Sequence, residues 1–158
     1  MIPNSEKAYQ KIFEGLILRE FLLETFLLDE FNDAKAVSKP SELIQTKFKM
    51  AFLRSIGDNF ACIFPGQDPY KSYCRSALCN AVLGSWAWAF TALKKASKVS
   101  NDFAYHNYLY GLVYAAIGKF GSALPKLEVA YKNEPHNDAK QRISEALHLI
   151  KSYKETNQ

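Results

Sequence analysis

Residues 104–135, AYHNYLYGLVYAAIGKFGSALPKLEVAYKNEP, decide the fold. They hold two apolar patterns with a glycine between them. The first is Tyr105, Tyr108, Leu109, Leu112, Ala115 and Ala116; the second is Phe120, Ala123, Leu124, Leu127, Ala130 and Tyr131. Both recur at three and four residues, the period of an amphipathic helix. Gly118 stands where the first helix must stop, and Pro135 ends the second. The small residues Gly111, Ala123 and Ala130 allow two helix backbones to approach closely, as an antiparallel hairpin requires.

The segment resembles a tetratricopeptide repeat. The pattern of that family combines small, aromatic and glycine positions and ends in proline. Here it reads Tyr110-Gly111, Tyr114, Gly118, Phe120, Ala123, Leu127, Ala130 and Pro135. Asn107 replaces the usual tryptophan, and Leu127 the usual late aromatic. Pro125 is also unusual, because it removes an amide donor early in the second helix.

Shifting the chain by 34 residues reproduces the pattern without a gap. Ala77 falls on Gly111, Gly84 on Gly118, Trp86 on Phe120, Ala89 on Ala123, Leu93 on Leu127 and Ala96 on Ala130. Residues 70–103 are therefore a second repeat ahead of 104–137. Its first helix is weaker, with Ser76 and Asn80 in place of Tyr110 and Tyr114. Another period back, 36–69 is degenerate: Met50 replaces the turn glycine, and Ser55 and Asn59 stand at apolar positions. The rest completes one helical domain over 1–158, with an N-terminal helix in 1–35 and a capping helix in 138–158. The capping helix carries Ala139, Ile143, Ala146, Leu147 and Ile150 on one side and Lys140, Gln141, Glu145, His148 and Lys151 on the other. A polar outer side is what the last member of a stack needs. The expected fold is all-α: a short helical-hairpin stack with an N-terminal extension.

The N-terminal helix is capped by Asn4 or Ser5 and starts near Glu6. Its apolar residues come in triplets: Leu16-Ile17-Leu18, Phe21-Leu22-Leu23, Phe26-Leu27-Leu28. Triplets five apart travel round the circumference, which predicts burial on more than one side. Such a helix either packs across the repeats under a cover from 36–66, or serves as a docking helix or homodimer seam through Phe21, Leu22, Phe26 and Leu27. Glu20, Glu24, Asp29 and Glu30 read as a solvated face. Asp68-Pro69 reads as a cap with proline at the first helical position, and helices are expected at about 69–82, 85–98, 102–117, 119–133 and 136–154. Asn101 and Asp102 suit the cap between the two repeats.

Composition sets the remaining bounds. The 158 residues are 48% apolar, 23% charged and 14% aromatic, with a net charge of +4. These are values of an ordinary globular domain with a core, apart from the high aromatic share. No Lys/Arg run suggests a nucleic-acid partner, and charges interrupt every apolar tract, so no membrane insertion is expected. Cys62, Cys74 and Cys79 have neither metal spacing nor an even number, so a reducing, cytoplasmic location is expected. The N-terminus has no basic lead or small-residue cleavage site.

Catalytic patterns are nearly absent. His106, His136 and His148 are isolated, Gly118-Lys119 lacks the following hydroxyl residue of a phosphate loop, and Gly121-Ser122-Ala123 follows no strand. An enzyme, a cofactor and a metal are not expected. Family resemblance implies instead that the first helices of the repeats line a concave groove. The matching residues are Lys71, Cys74, Leu78 and Ala81 in one repeat, then Tyr105, Tyr108, Leu112 and Ala115. Ile44 and Phe48 extend the row if 36–69 is a repeat, and Arg75 and Arg142 are further cations beside it. An apolar, tyrosine-lined groove predicts a protein or peptide client bound as an extended segment. The chain is thus expected to be a protein-binding chaperone or adaptor. At a finer level, its layout resembles the chaperones of type III secretion translocators. The alternatives are a structural subunit of a permanent assembly, or a helical-repeat RNA-binding protein. The latter would need a basic groove, which Tyr105, Leu112 and Ala115 do not supply.

Overall fold

A computed structural model describes residues 5–25, 69–100 and 103–156. The described residues form six helices and no strand, so the protein is all-α. They are α1 (Glu6–Thr25), α2 (Pro69–Val82), α3 (Trp86–Val99), α4 (Tyr105–Ala116), α5 (Phe120–Asn133) and α6 (Asn137–Thr156). The region 36–68, including Ile44 and Phe48, lies outside them, as do Phe26, Leu27 and the expected caps Asn101 and Asp102.

Helices α2 and α3 pack along each other, and so do α4 and α5. The reasons are local. Gly84 and Gly118 close the two turns with φ of 77° and 86°, a left-handed conformation that glycine adopts without steric penalty. The Ser85 amide then returns to the Asn80 carbonyl at 2.8 Å, and the Lys119 amide to Tyr114 at 2.8 Å. The positions 34 apart play the same parts. Ala77, Ala89, Leu93 and Ala96 are buried in one pair, and Gly111, Ala123, Leu127 and Ala130 in the other.

Gly111 sits at a close approach. A Cβ there would collide with Cγ and Cδ2 of Leu127, itself fully buried. Gly111→Ala should therefore destabilise the fold by about 1–3 kcal/mol despite the better helix propensity of alanine. Gly121, on the exposed side of α5, has nothing within 4 Å of its Cβ position. Gly121→Ala should stabilise by up to about 1 kcal/mol. Urea midpoints of the two variants shifting in opposite directions would check both.

Ser5 caps α1, its Oγ accepting the Ala8 amide at 3.1 Å. Pro69 opens α2 as expected. Helix α4 starts at Tyr105, and Ala104 at its cap position offers no side-chain bond. Pro125 does not break α5, which runs through it. It lies exposed in the second turn, where only one backbone bond is lost.

Helix α1 contacts α2, α4 and α6. Its buried residues are Tyr9, Phe13, Leu16, Ile17, Glu20 and Phe21, while Leu18 and Leu23 are exposed. That is one stripe at spacings of four and three rather than burial all round, and it packs on more than one partner helix, lying across both helix pairs. Each of the two described triplets, 16–18 and 21–23, sends its first one or two members inward and its last outward. At the N-terminal end, the Tyr9 ring packs on Tyr153 (5.1 Å between centroids) and Phe120 (6.4 Å), and Phe13 lies 6.3 Å from Phe120. Since Glu20 meets Tyr105 and Arg142, while Tyr9 meets Tyr153 and Gln10 lies beside Gly118 just past the end of α4, α1 runs antiparallel to both α4 and α6.

Candidate functional site

The expected groove row exists as a row, but it is not open. Cys74, Leu78 and Ala81 of α2 are buried, and so are Tyr108, Leu112 and Ala115 of α4. Tyr105 is half-buried and packs on the same core. Among the described residues of the row, only Lys71 is exposed. The cover is α1, lying against both helices. The expectation of an apolar trough exposed to an extended client is therefore corrected for the described residues: the chain fills that trough with its own helix. Phe21, expected at a docking or dimer surface, is 1% exposed within this core, and Leu22 packs against it.

One carboxylate fixes the register of α1. Glu20, 1% exposed, lies where three donors from two other helices converge. Arg142 of α6 donates Nε–H to Glu20 Oε1 at 2.7 Å. Tyr108 of α4 donates its hydroxyl to the same oxygen at 2.9 Å. The Tyr105 hydroxyl lies 3.3 Å from Glu20 Oε2 and 3.1 Å from Glu24 Oε1, with one proton to share between them. A buried carboxylate is tolerated only when paired and hydrogen-bonded in this way. Sequence reasoning read Glu20 as solvated. The signal that would have found it is its spacing of 11 from Tyr9, which puts it on the stripe of Tyr9, Phe13 and Ile17.

The neighbouring Arg19 is less well served. Its Nη1 donates to Glu145 at 2.9 Å, a pair with both ends partly exposed and hence of small effect. Its Nε and Nη2 are buried and have no hydrogen-bond partner among the described residues. The Tyr108 hydroxyl, which gives its proton to Glu20, turns its oxygen lone pairs toward this guanidinium and helps to hold its charge. An unpaired buried donor costs about 1–3 kcal/mol.

The electrostatics follow from burial. Burial pushes the Tyr105 phenol well above its ordinary range, and the charges of Glu20 and Glu24 push it further. Burial and then Glu20 do the same to Tyr108. For Arg142, burial works to lower the pKa, and the charge and hydrogen bond of Glu20 outweigh it. Burial also pushes the Cys79 thiol up to about 11. These acids stay protonated in the folded chain where the unfolded chain has already lost its protons. From the ordinary values of 9.0 for the thiol and 10.0 for the phenols, stability must decline as pH rises past 9 and more steeply past 10. Each fully released phenol adds about 1.4 kcal/mol per pH unit to that decline. Urea titrations at successive alkaline pH values should show it, and Tyr108→Phe should make the slope shallower.

Between the first hairpin and this site, Tyr70 and His106 join α2 to α4. The His106 amide donates to Tyr70 Oη at 3.0 Å, and the Tyr70 hydroxyl lies 3.1 Å from Nδ1. No group of His, Cys, Asp and Glu among the described residues could hold a metal ion. No described helix is long and apolar enough to cross a membrane. No protein-family model, curated protein or solved structure matches the chain.

Proposed function

We propose that the chain is a protein-binding helical-repeat module of the tetratricopeptide type, acting as a chaperone or adaptor in the cytoplasm. The observation that carries this is the occupied trough. The α2 and α4 face, with Arg142 of α6, takes up a polypeptide helix through an apolar row and a carboxylate cradle, both on one surface. A surface built in this way recognises protein by helix-in-groove packing. The 34-residue recurrence of buried alanines and leucines, with turn glycines at Gly84 and Gly118, supports the repeat assignment. The resemblance to translocator chaperones of type III secretion is a finer proposal resting on size and layout alone.

The test is stoichiometry. Tagged full-length chain recovered gently from its own cells should elute with a second polypeptide in a fixed ratio, seen by light scattering and mass spectrometry. A chain that stays alone at monomer mass, in cells and after incubation with lysate, contradicts the proposal. Substitutions such as Leu112→Asp or Tyr108→Ala are unsuitable for mapping a client, because both residues are core and the fold itself would fail.

A second reading, a subunit of a permanent assembly, draws on exposed apolar side chains away from α1. Trp88 is 68% exposed and Phe103 55%. Fixed oligomers of the isolated chain, independent of concentration, would favour it.

A further inference from the structure

We propose that the open cleft between α1 and the α2–α3 turn receives an aromatic side chain of a partner polypeptide, whose flanking charges pair with Lys11 and Glu14 of α1. The inference rests on the protein-binding reading above and names the partner's anchor. Three observations carry it.

First, the two hairpin turns correspond residue for residue, yet only one is covered by rings. Gly84 and Trp86 stand 34 residues before Gly118 and Phe120. Phe120 is buried under Tyr9 and Phe13 of α1, at 6.4 and 6.3 Å between centroids, and Tyr153 of α6, at 4.3 Å. Trp86 is half-buried and meets no ring among the described residues. The difference has a cause in the helices. Helix α6 runs on past Tyr153, whereas the position 34 residues earlier is Lys119, which already stands at the cap of α5. Helix α1 directs Tyr9 and Phe13 at the second turn and turns Lys11, Glu14, Gly15 and Leu18 toward the first.

Second, the uncovered turn has room and an apolar lining. Ile17, Leu18, Val82, Leu83 and Trp86 wall a cleft of about 660 Å³. That lies within the roughly 300–1,000 Å³ usual for sites that take a ligand. A Cβ at Gly118 would collide with Gln10 and Glu6, whereas those of Gly15 and Gly84 would meet nothing within 4 Å. Leu18 and Leu83 are exposed at the cleft. A ring placed there buries apolar area and packs on Trp86, as the rings of Tyr9, Phe13 and Tyr153 pack on Phe120.

Third, the rim carries opposite charges that are not used inside the chain. Lys11 and Glu14 line the cleft, both exposed, and neither side chain has an ion-pair or hydrogen-bond partner among the described residues. An uncharged aromatic molecule would leave both as they are. A polypeptide can bring an acid and a base on either side of its ring, so the complementary ligand is a segment with an aromatic anchor between opposite charges.

The test follows amide and indole N–H signals of full-length, nitrogen-15-labelled protein by NMR. The probes are N-acetyl-phenylalanine amide and two capped peptides, Asp-Ala-Phe-Ala-Lys and its reverse Lys-Ala-Phe-Ala-Asp. All three should shift Gly15, Gly84 and the Trp86 indole at about millimolar concentration, and leave the Trp88 indole unmoved. One peptide order should bind about two- to fivefold more tightly than the amide, the usual worth of an exposed ion pair. That advantage should vanish in the Lys11→Gln/Glu14→Gln chain. Gly15→Phe, which fills the cleft from α1, should weaken every probe at least tenfold, while Gly15→Ala should bind as the original chain does. Alanine in place of the peptide phenylalanine should abolish the shifts. No ring-dependent shift at Gly84 and Trp86 overturns the inference, and the protein-binding reading is then still decided by co-purification. Equal binding of the amide and both peptides also overturns it, because the site would take a free aromatic molecule as readily as a polypeptide. Dimerisation of the isolated chain that Gly15→Phe abolishes overturns it in favour of a second copy as the occupant.

Discussion

Arg142→Met is expected to lower the free energy of unfolding by about 3–5 kcal/mol, more than Glu20→Ala. The asymmetry follows from exposure. Glu20 is 1% exposed, whereas Arg142 is 28% exposed. Removing the arginine leaves a carboxylate sealed between α1, α4 and α6 with only tyrosine hydroxyls to hold it. Removing the glutamate leaves a guanidinium that can turn to water, plus an unpaired Tyr108 hydroxyl, for about 1–3 kcal/mol. Total stabilities of single domains are about 5–15 kcal/mol, so the larger loss would be plain in a urea midpoint. The Glu20→Leu/Arg142→Leu double variant should recover much of the loss, because an apolar pair leaves no buried charge. Strict additivity of the two single changes would show that the pair does not couple.

Phe13→Ala should cost about 3–5 kcal/mol, the usual range for truncating a fully buried aromatic side chain. Phe13 is 0% exposed and packs on Phe120 at the start of α5. On the opposite side of α1, Leu18→Ala and Leu23→Ala should stay within about 0.5 kcal/mol, since those side chains face outward. Were α1 a free helix waiting for a partner, all three substitutions would leave the stability of the isolated chain alike. The contrast within one helix thus separates a seated α1 from a dangling one, using chemical unfolding of purified monomer.

Much of the helical layout was legible in the residues. Periodicity placed α2 through α6 within a few residues, because Gly84, Gly118 and Pro135 punctuate the apolar rows and dictate where each helix ends. The row Cys74, Leu78, Tyr105, Tyr108, Leu112 was also legible as one face, since it follows from helical spacing. What covers that face was not legible. A stripe of apolar residues must be buried, but spacing cannot say whether the cover is another molecule or a helix far away in the same chain. Helix α1 hid its role in a second way. Its triplets gave no clear apolar face, and the acid that locks its register stood among four carboxylates that read as solvated. Arg142 was visible as a cation beside the row, but pairing it with Glu20 needs the antiparallel course of α1 against α6, which is a tertiary fact.

The central claim is that α1 lies in the trough of its own chain, and proton–proton contacts in solution test it most directly. In dilute, uniformly labelled protein, nuclear Overhauser effects are expected from the Tyr9 ring to Tyr153 and Phe120, and from Glu20 to Tyr108. A mixture of labelled and unlabelled chains should give none of these between molecules. Their absence, or their appearance only between molecules, would contradict it.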